Sequence, residues 1–130
     1  MEEQEKSNEC YSGPRLIFAC SGAADVGEIA DLAARKLNKE GLGKMFCLAG
    51  IGGCVEGIMK NTEAASKIVA IDGCPLDCAK NTLERGGFKE FMHVRLTDMG
   101  LEKSKSAVTD ENIKKVTEAV RIHLGTDQEV

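Results

Sequence analysis

The chain has 130 residues, 42% hydrophobic and 29% charged, with a formal net charge of −4. That is enough apolar material for one domain with its own core, and it offers no basic footprint for nucleic acid. Trp is absent and aromatic residues make up only 4%, which excludes a stacking platform for bases, and no apolar run nears the ~18 residues of a membrane span.

Met1 to Asn8 is acidic and polar, the opposite of a secretory signal, so a cytoplasmic location is expected. In a reducing compartment six cysteines, Cys10, Cys20, Cys47, Cys54, Cys74 and Cys78, point to metal, redox chemistry or packing rather than disulfides. Residues 1–13 read as a flexible tail carrying Cys10, and residues 14–126 as a single α/β domain.

Leu16-Ile17-Phe18-Ala19 is the first strand. The small-residue loop Cys20-Ser21-Gly22-Ala23-Ala24 leads into a helix over 25–39, with Ile29, Leu32, Ala33 and Leu37 on one face. A strand, a small-residue loop and a helix can present backbone N–H groups to an anion. Cys20 at that junction would feel the helix N-terminus, which favours thiolate. No Walker sequence or Gly-x-Gly-x-x-Gly fingerprint follows. Where a cysteine phosphatase loop would place its arginine, Val26 stands.

Lys44 to Ala49 reads as the second strand, which makes Cys47 a strand thiol facing the core. Gly50-Ile51-Gly52-Gly53-Cys54 reads as a loop whose glycines allow close backbone approach, followed by a helix over 55–67. Cys54, at the start of that helix, sits at the sheet edge, and geometry alone prefers it to Cys47 as a ligand. Ile68-Val69-Ala70-Ile71 is a β-branched run typical of a parallel strand covered on both faces. Asp72-Gly73 ends it. Pro75 suits a first helical position, which sets Cys74 near the helix cap and Cys78 one turn inside, on the same face. Asp72 and Asp77 read equally as groups supporting the thiols and as turn and cap residues.

That helix runs on to Arg85 and stops at Gly86-Gly87. Phe91 to Leu96 is the fourth strand, where His93 reads first as structural and second as a nitrogen ligand. Residues 102–108 read as a solvated, lysine-rich connection. Thr109 or Asp110 caps the last helix, whose buried stripe is Ile113, Val116, Val120 and Leu124.

Four strands alternating with helices predict an α/β three-layer sandwich: a four-stranded parallel sheet, strand order 2-1-3-4, helices on both faces. The switch point falls between the first and third strands, which end in Cys20 and Cys74. Their sulfurs are then expected on the order of the ~5 Å strand spacing apart, at the edge where open α/β sheets bind ligands. Zinc takes four ligands. Cys20, Cys74 and Cys78 supply three; Cys47, Cys54 or water supplies the fourth. An iron–sulfur cluster uses the same thiolates. Two other readings stand beside the metal one. The first is a thiol redox or sulfur-handling enzyme in which Cys20 or Cys74 attacks and a neighbour resolves. The second is a binder of small anions or nucleotides at Ser21, Gly22, Gly52 and Gly53. No catalytic Ser/His/Asp or paired-carboxylate set is apparent.

Three stretches carry a resemblance: Phe18-Ala19-Cys20-Ser21-Gly22, Cys47-Leu48-Ala49-Gly50-Ile51-Gly52-Gly53 and Ile71-Asp72-Gly73-Cys74-Pro75-Leu76-Asp77-Cys78. In this order they resemble the DGC-domain family, over roughly residues 15 to 125. The family is named for its Asp-Gly-Cys motif and is described as zinc-binding through four cysteines. The resemblance implies Cys20, Cys47, Cys74 and Cys78 as that set and leaves Cys10 and Cys54 outside the pattern. It implies no reaction or substrate. The expected partners are a metal ion and an unidentified protein, with no nucleic acid and no membrane.

Overall fold

The computed structural model describes residues 13–125. The expected tail and Cys10 lie largely outside that range. Two apolar runs form the middle of the sheet: β1 (Arg15–Ala19) and β3 (Lys67–Asp72), paired in parallel with Ala19 beside Ile71. β2 (Lys44–Met45) lies outside β1, and β4 (Met92–Arg95) outside β3. The order is β2-β1-β3-β4, all parallel, as the alternation of elements predicts.

The central strands are buried on both faces, which is why they read as continuous apolar runs. Ile17, Ala19, Val69 and Ile71 face one core cluster, shared with α1 (Asp25–Lys39) and α5 (Asp110–Gly125). Leu16, Phe18, Ile68 and Ala70 face the other, shared with α2 (Leu48–Gly52), α3 (Glu56–Glu63) and α4 (Cys78–Arg85). The helices therefore cover both faces. Thr109 caps α5, its hydroxyl accepting the Asn112 N–H at 3.1 Å. At the other end of α5, Arg15 donates to the Leu124 carbonyl at 3.0 Å and Lys67 to the His123 carbonyl at 2.9 Å. Cations suit a helix C-terminus, and these two close the N-terminal edge of the sheet. Among the described residues, no helix is long and apolar enough to cross a membrane.

Four local expectations are corrected. The second strand stops at Met45 instead of continuing through Cys47. The Phe46 N–H still reaches the Ile17 carbonyl at 2.9 Å, but Cys47 then becomes the N-cap of α2. A short apolar run does not by its periodicity separate strand from buried helix. The helix expected over 55–67 is shorter, Glu56–Glu63; the chain then turns, and the Ser66 N–H bonds the Pro14 carbonyl at 2.9 Å, leading into β3. The helix expected at Pro75 starts at Cys78. Pro75 instead occupies the second place of a turn closed by the Asp77 N–H on the Cys74 carbonyl at 3.2 Å, a position that the fixed φ of proline favours. The 102–108 connection is anchored rather than merely solvated: the Ser104 and Ser106 N–H groups bond the Asp25 carboxylate at 2.9 and 3.2 Å.

Candidate functional site

The C-terminal edge of β1 and β3 carries the cysteines. Cys20 follows β1 directly and extends the ladder by one rung, its N–H on the Ile71 carbonyl at 3.0 Å. Cys74 follows β3 by two residues, and Cys78 opens α4. Cys20 and Cys74 are half-buried, Cys78 is exposed, and no disulfide joins any of the five described cysteines. Partial burial pushes the Cys78 thiol up, and Asp72, Cys20 and Cys74 add to the rise through charge repulsion; Lys103 opposes it. Cys78 is the first helical residue and not one turn in, and among the described residues no three cysteines bring their sulfurs within 4.8 Å of one another. A helix N-terminus alone would lower a thiol; here burial and negative neighbours outweigh it.

Cys47, at the start of α2, lines an open cleft of ≈ 1170 Å³ together with Cys20; Met45, Phe46 and Leu48 form its apolar wall, and Lys36 of α1 is on its rim. Cys54 lies beyond the other end of α2, exposed, with φ +56°. Of the glycines between them, Gly50 has a packing role. A Cβ on Gly50 would sit 2.2 Å from the Ile58 side chain, so the close contact is with α3. Gly52 ends α2 and Gly53 is its C-cap.

Ser21 and Gly22 sit in the loop before α1. The Ser21 hydroxyl donates to Asp31 at 2.7 Å, and Gly22 is exposed. The Val26 N–H of the first turn of α1 is taken by the Asp25 carboxylate at 2.8 Å. A carboxylate of the chain itself therefore stands where an incoming anion would seek that amide.

Asp72 is the buried centre of a second group, 1% exposed. Its carboxylate accepts the Ala79 N–H at 2.7 Å and the Lys80 N–H at 3.0 Å. It thereby satisfies two of the free donors at the start of α4, whose N-cap residue, Asp77, makes no side-chain cap. His93 Nε2 lies 2.8 Å from the same carboxylate; a carboxylate only accepts, so Nε2 carries the proton. Asp77, with φ +55°, takes the Arg95 guanidinium on both oxygens at 2.8 and 2.7 Å. That bond holds the Asp77 carboxyl below its ordinary value.

Asp72, Asp77 and His93 each bring a ligand atom within 4.8 Å of the others. Their own hydrogen bonds occupy those atoms: a cation there would compete with Arg95 and with two helix amides. The thiols have the better donor chemistry for a soft ion. Sequence reasoning left Asp72 and His93 unpaired because the acceptor and the helix it caps are separated by a turn. The available signal is the strand-end aspartate, Asp72, standing just before a turn and a helix.

The DGC domain family matches over residues 16–120. The anaerobic and virulence modulator AnvM of Pseudomonas aeruginosa is 38% identical over 88 residues, 68% of this chain and 67% of that protein. No solved structure matches. The Asp-Gly-Cys turn that joins β3 to α4, inside a match spanning most of the domain, settles the family: this chain belongs to the DGC domain family.

Proposed function

We propose that this protein binds a metal ion, zinc first, through Cys20, Cys74 and Cys78, with Cys47 as the fourth ligand. The observation that carries the reading is the placement of Cys20 directly after β1, Cys74 just after the neighbouring β3 and Cys78 at the start of α4, all at the C-terminal edge of the sheet. Thiolates drawn together there would repel one another, and a dication would turn that repulsion into binding, releasing protons as it does so. Cys47 is favoured over Cys54 because it shares a cleft with Cys20. The raised Cys78 thiol argues against Cys78 as a free nucleophile, since a reactive cysteine needs a depressed value. AnvM is named a modulator, and a site that senses or carries a metal suits such a role without requiring a reaction.

The test is metal content and affinity of protein prepared without an affinity tag. We expect about one zinc per chain, with Cys74→Ser and Cys78→Ser each abolishing uptake while the circular dichroism spectrum is kept. Cys47→Ser should weaken binding, and Cys54→Ser should leave it unchanged. Stoichiometric zinc in both Cys74→Ser and Cys78→Ser would overturn the reading. Iron with sulfide in the wild type would move the same residues to a cluster.

A further inference from the structure

We infer that His93 and Arg95 of β4, with Thr97 just after it, are positioning residues for the cysteine turn. The inference rests on the cysteine-site reading above. The turn from Asp72 to Cys78 is held at three points, each from the same short stretch. His93 contacts Asp72 at 2.8 Å, Thr97 donates to the Gly73 carbonyl at 3.3 Å, and Arg95 clamps Asp77 through two bonds at 2.8 and 2.7 Å. The three anchors recur at two-residue spacing. In a strand that spacing keeps His93 and Arg95 on one face, and the register sets His93 beside Ala70 and Arg95 beside Asp72.

The anchors bracket the thiols. Asp72 and Gly73 immediately precede Cys74, and Asp77 immediately precedes Cys78. Inside the turn the restraints are local: Asp77 N–H to the Cys74 carbonyl, and the Asn81 side chain to the Leu76 carbonyl at 3.1 Å. The Asp72 carboxylate ties the start of α4 to the end of β3, and β4 adds the hold on Asp72, Gly73 and Asp77 that fixes the turn between them. Asp77 also holds a left-handed backbone conformation, which a non-glycine residue keeps only where its surroundings hold it there. The Arg95 fork supplies that restraint, and its planar two-bond geometry is one that lysine does not reproduce. Ligand-supporting groups of this kind typically change metal affinity about 10–100-fold when removed.

The experiment measures zinc affinity by competition with a chromophoric chelator, and the alkylation rates of Cys74 and Cys78 in metal-free protein. The variants are Arg95→Gln, Arg95→Lys, His93→Ala and His93→Gln. Arg95→Gln and His93→Ala should each lose about 10-fold or more in affinity while still reaching full stoichiometry at high zinc. His93→Gln, which keeps a donor for Asp72, should recover most of the loss, whereas Arg95→Lys should recover little. The pair Arg95→Gln with Asp77→Asn should be no worse than either single change, because both remove one interaction. Affinity within twofold of wild type in both Arg95→Gln and His93→Ala would overturn the inference. If the wild type takes up no zinc, the metal reading fails separately, and the alkylation rates decide. A severalfold faster reaction of Cys78 in Arg95→Gln supports positioning, and an unchanged rate overturns it.

Discussion

Asp77 is placed between two demands. Its backbone has φ +55°, a conformation that costs an L-residue roughly 1–2 kcal/mol and that aspartate tolerates better than most. Its carboxylate is 14% exposed and paired with Arg95 at 2.7 Å. The Arg95 hydrogen bond is the main reason its carboxyl lies below the ordinary value of 3.8. Because the folded value is the lower one, the pair stabilises the fold fully above the unfolded value and is lost as pH falls through the folded one. Asp77→Asn keeps the shape and the tolerance of a left-handed backbone, so it isolates the charge. We expect it to cost about 1–3 kcal/mol at neutral pH and to flatten the loss of stability below pH 3.8. Urea titrations across that range check this; identical profiles for variant and wild type would remove the pair from the acid transition. The sequence made both aspartates visible as turn or support residues. It did not make the division of labour visible. Asp72 caps a helix that starts six residues later, across a turn whose path the sequence does not show, and Asp77 pairs with a residue on a strand 18 positions on, a relation that exists only once β3 and β4 are side by side.

The join between β3 and α1 is an element-scale contact with little tolerance. A Cβ on Gly73 would lie 2.8 Å from the carbonyl carbon and oxygen of Val26, in the first turn of α1. Those are backbone atoms, so no side chain can swing aside. Gly73→Ala should therefore push α1 away from the strand end and cost about 1–3 kcal/mol, the usual range for overpacking, with a lower midpoint in thermal melts. A variant as stable as wild type would mean that α1 moves freely here. This is the physical content of the middle residue of the Asp-Gly-Cys turn: it lets the helix after Cys20 approach the turn before Cys74. The same scale explains what was legible. α1 has the bounds expected from its apolar face and flanking glycines, and the strand order followed from β-branched runs alternating with helices. β2 and α2 are not legible because Met45, Phe46, Leu48 and Ile51 fill the two cores from a bend, where neither the two-residue nor the helical period is sustained long enough to be read.

At the scale of the molecule, the two ends of the sheet are built differently. The N-terminal edge is tied shut, with Arg15 and Lys67 bonded to the last carbonyls of α5. The C-terminal edge carries the free cysteines that follow β1 and β3 and a turn tied to β4 by Arg95. Apolar cores on both sheet faces hold the domain together, with Cys20 and Cys74 packed only at their margins, so a metal at the cysteine edge would add stability and not create the fold. Treatment with a strong chelator should leave the helical circular dichroism signal in place at 25 °C and lower the melting temperature. At a free zinc concentration ~1,000 times the dissociation constant, linkage gives about 4 kcal/mol, which for a domain of this size is on the order of 10 °C or more. The shift should vanish in Cys74→Ser and Cys78→Ser. Loss of the helical signal on chelation alone would make the metal a folding staple, as in a zinc finger. A chelator-insensitive melt of protein shown to carry zinc would place the ion away from these cysteines.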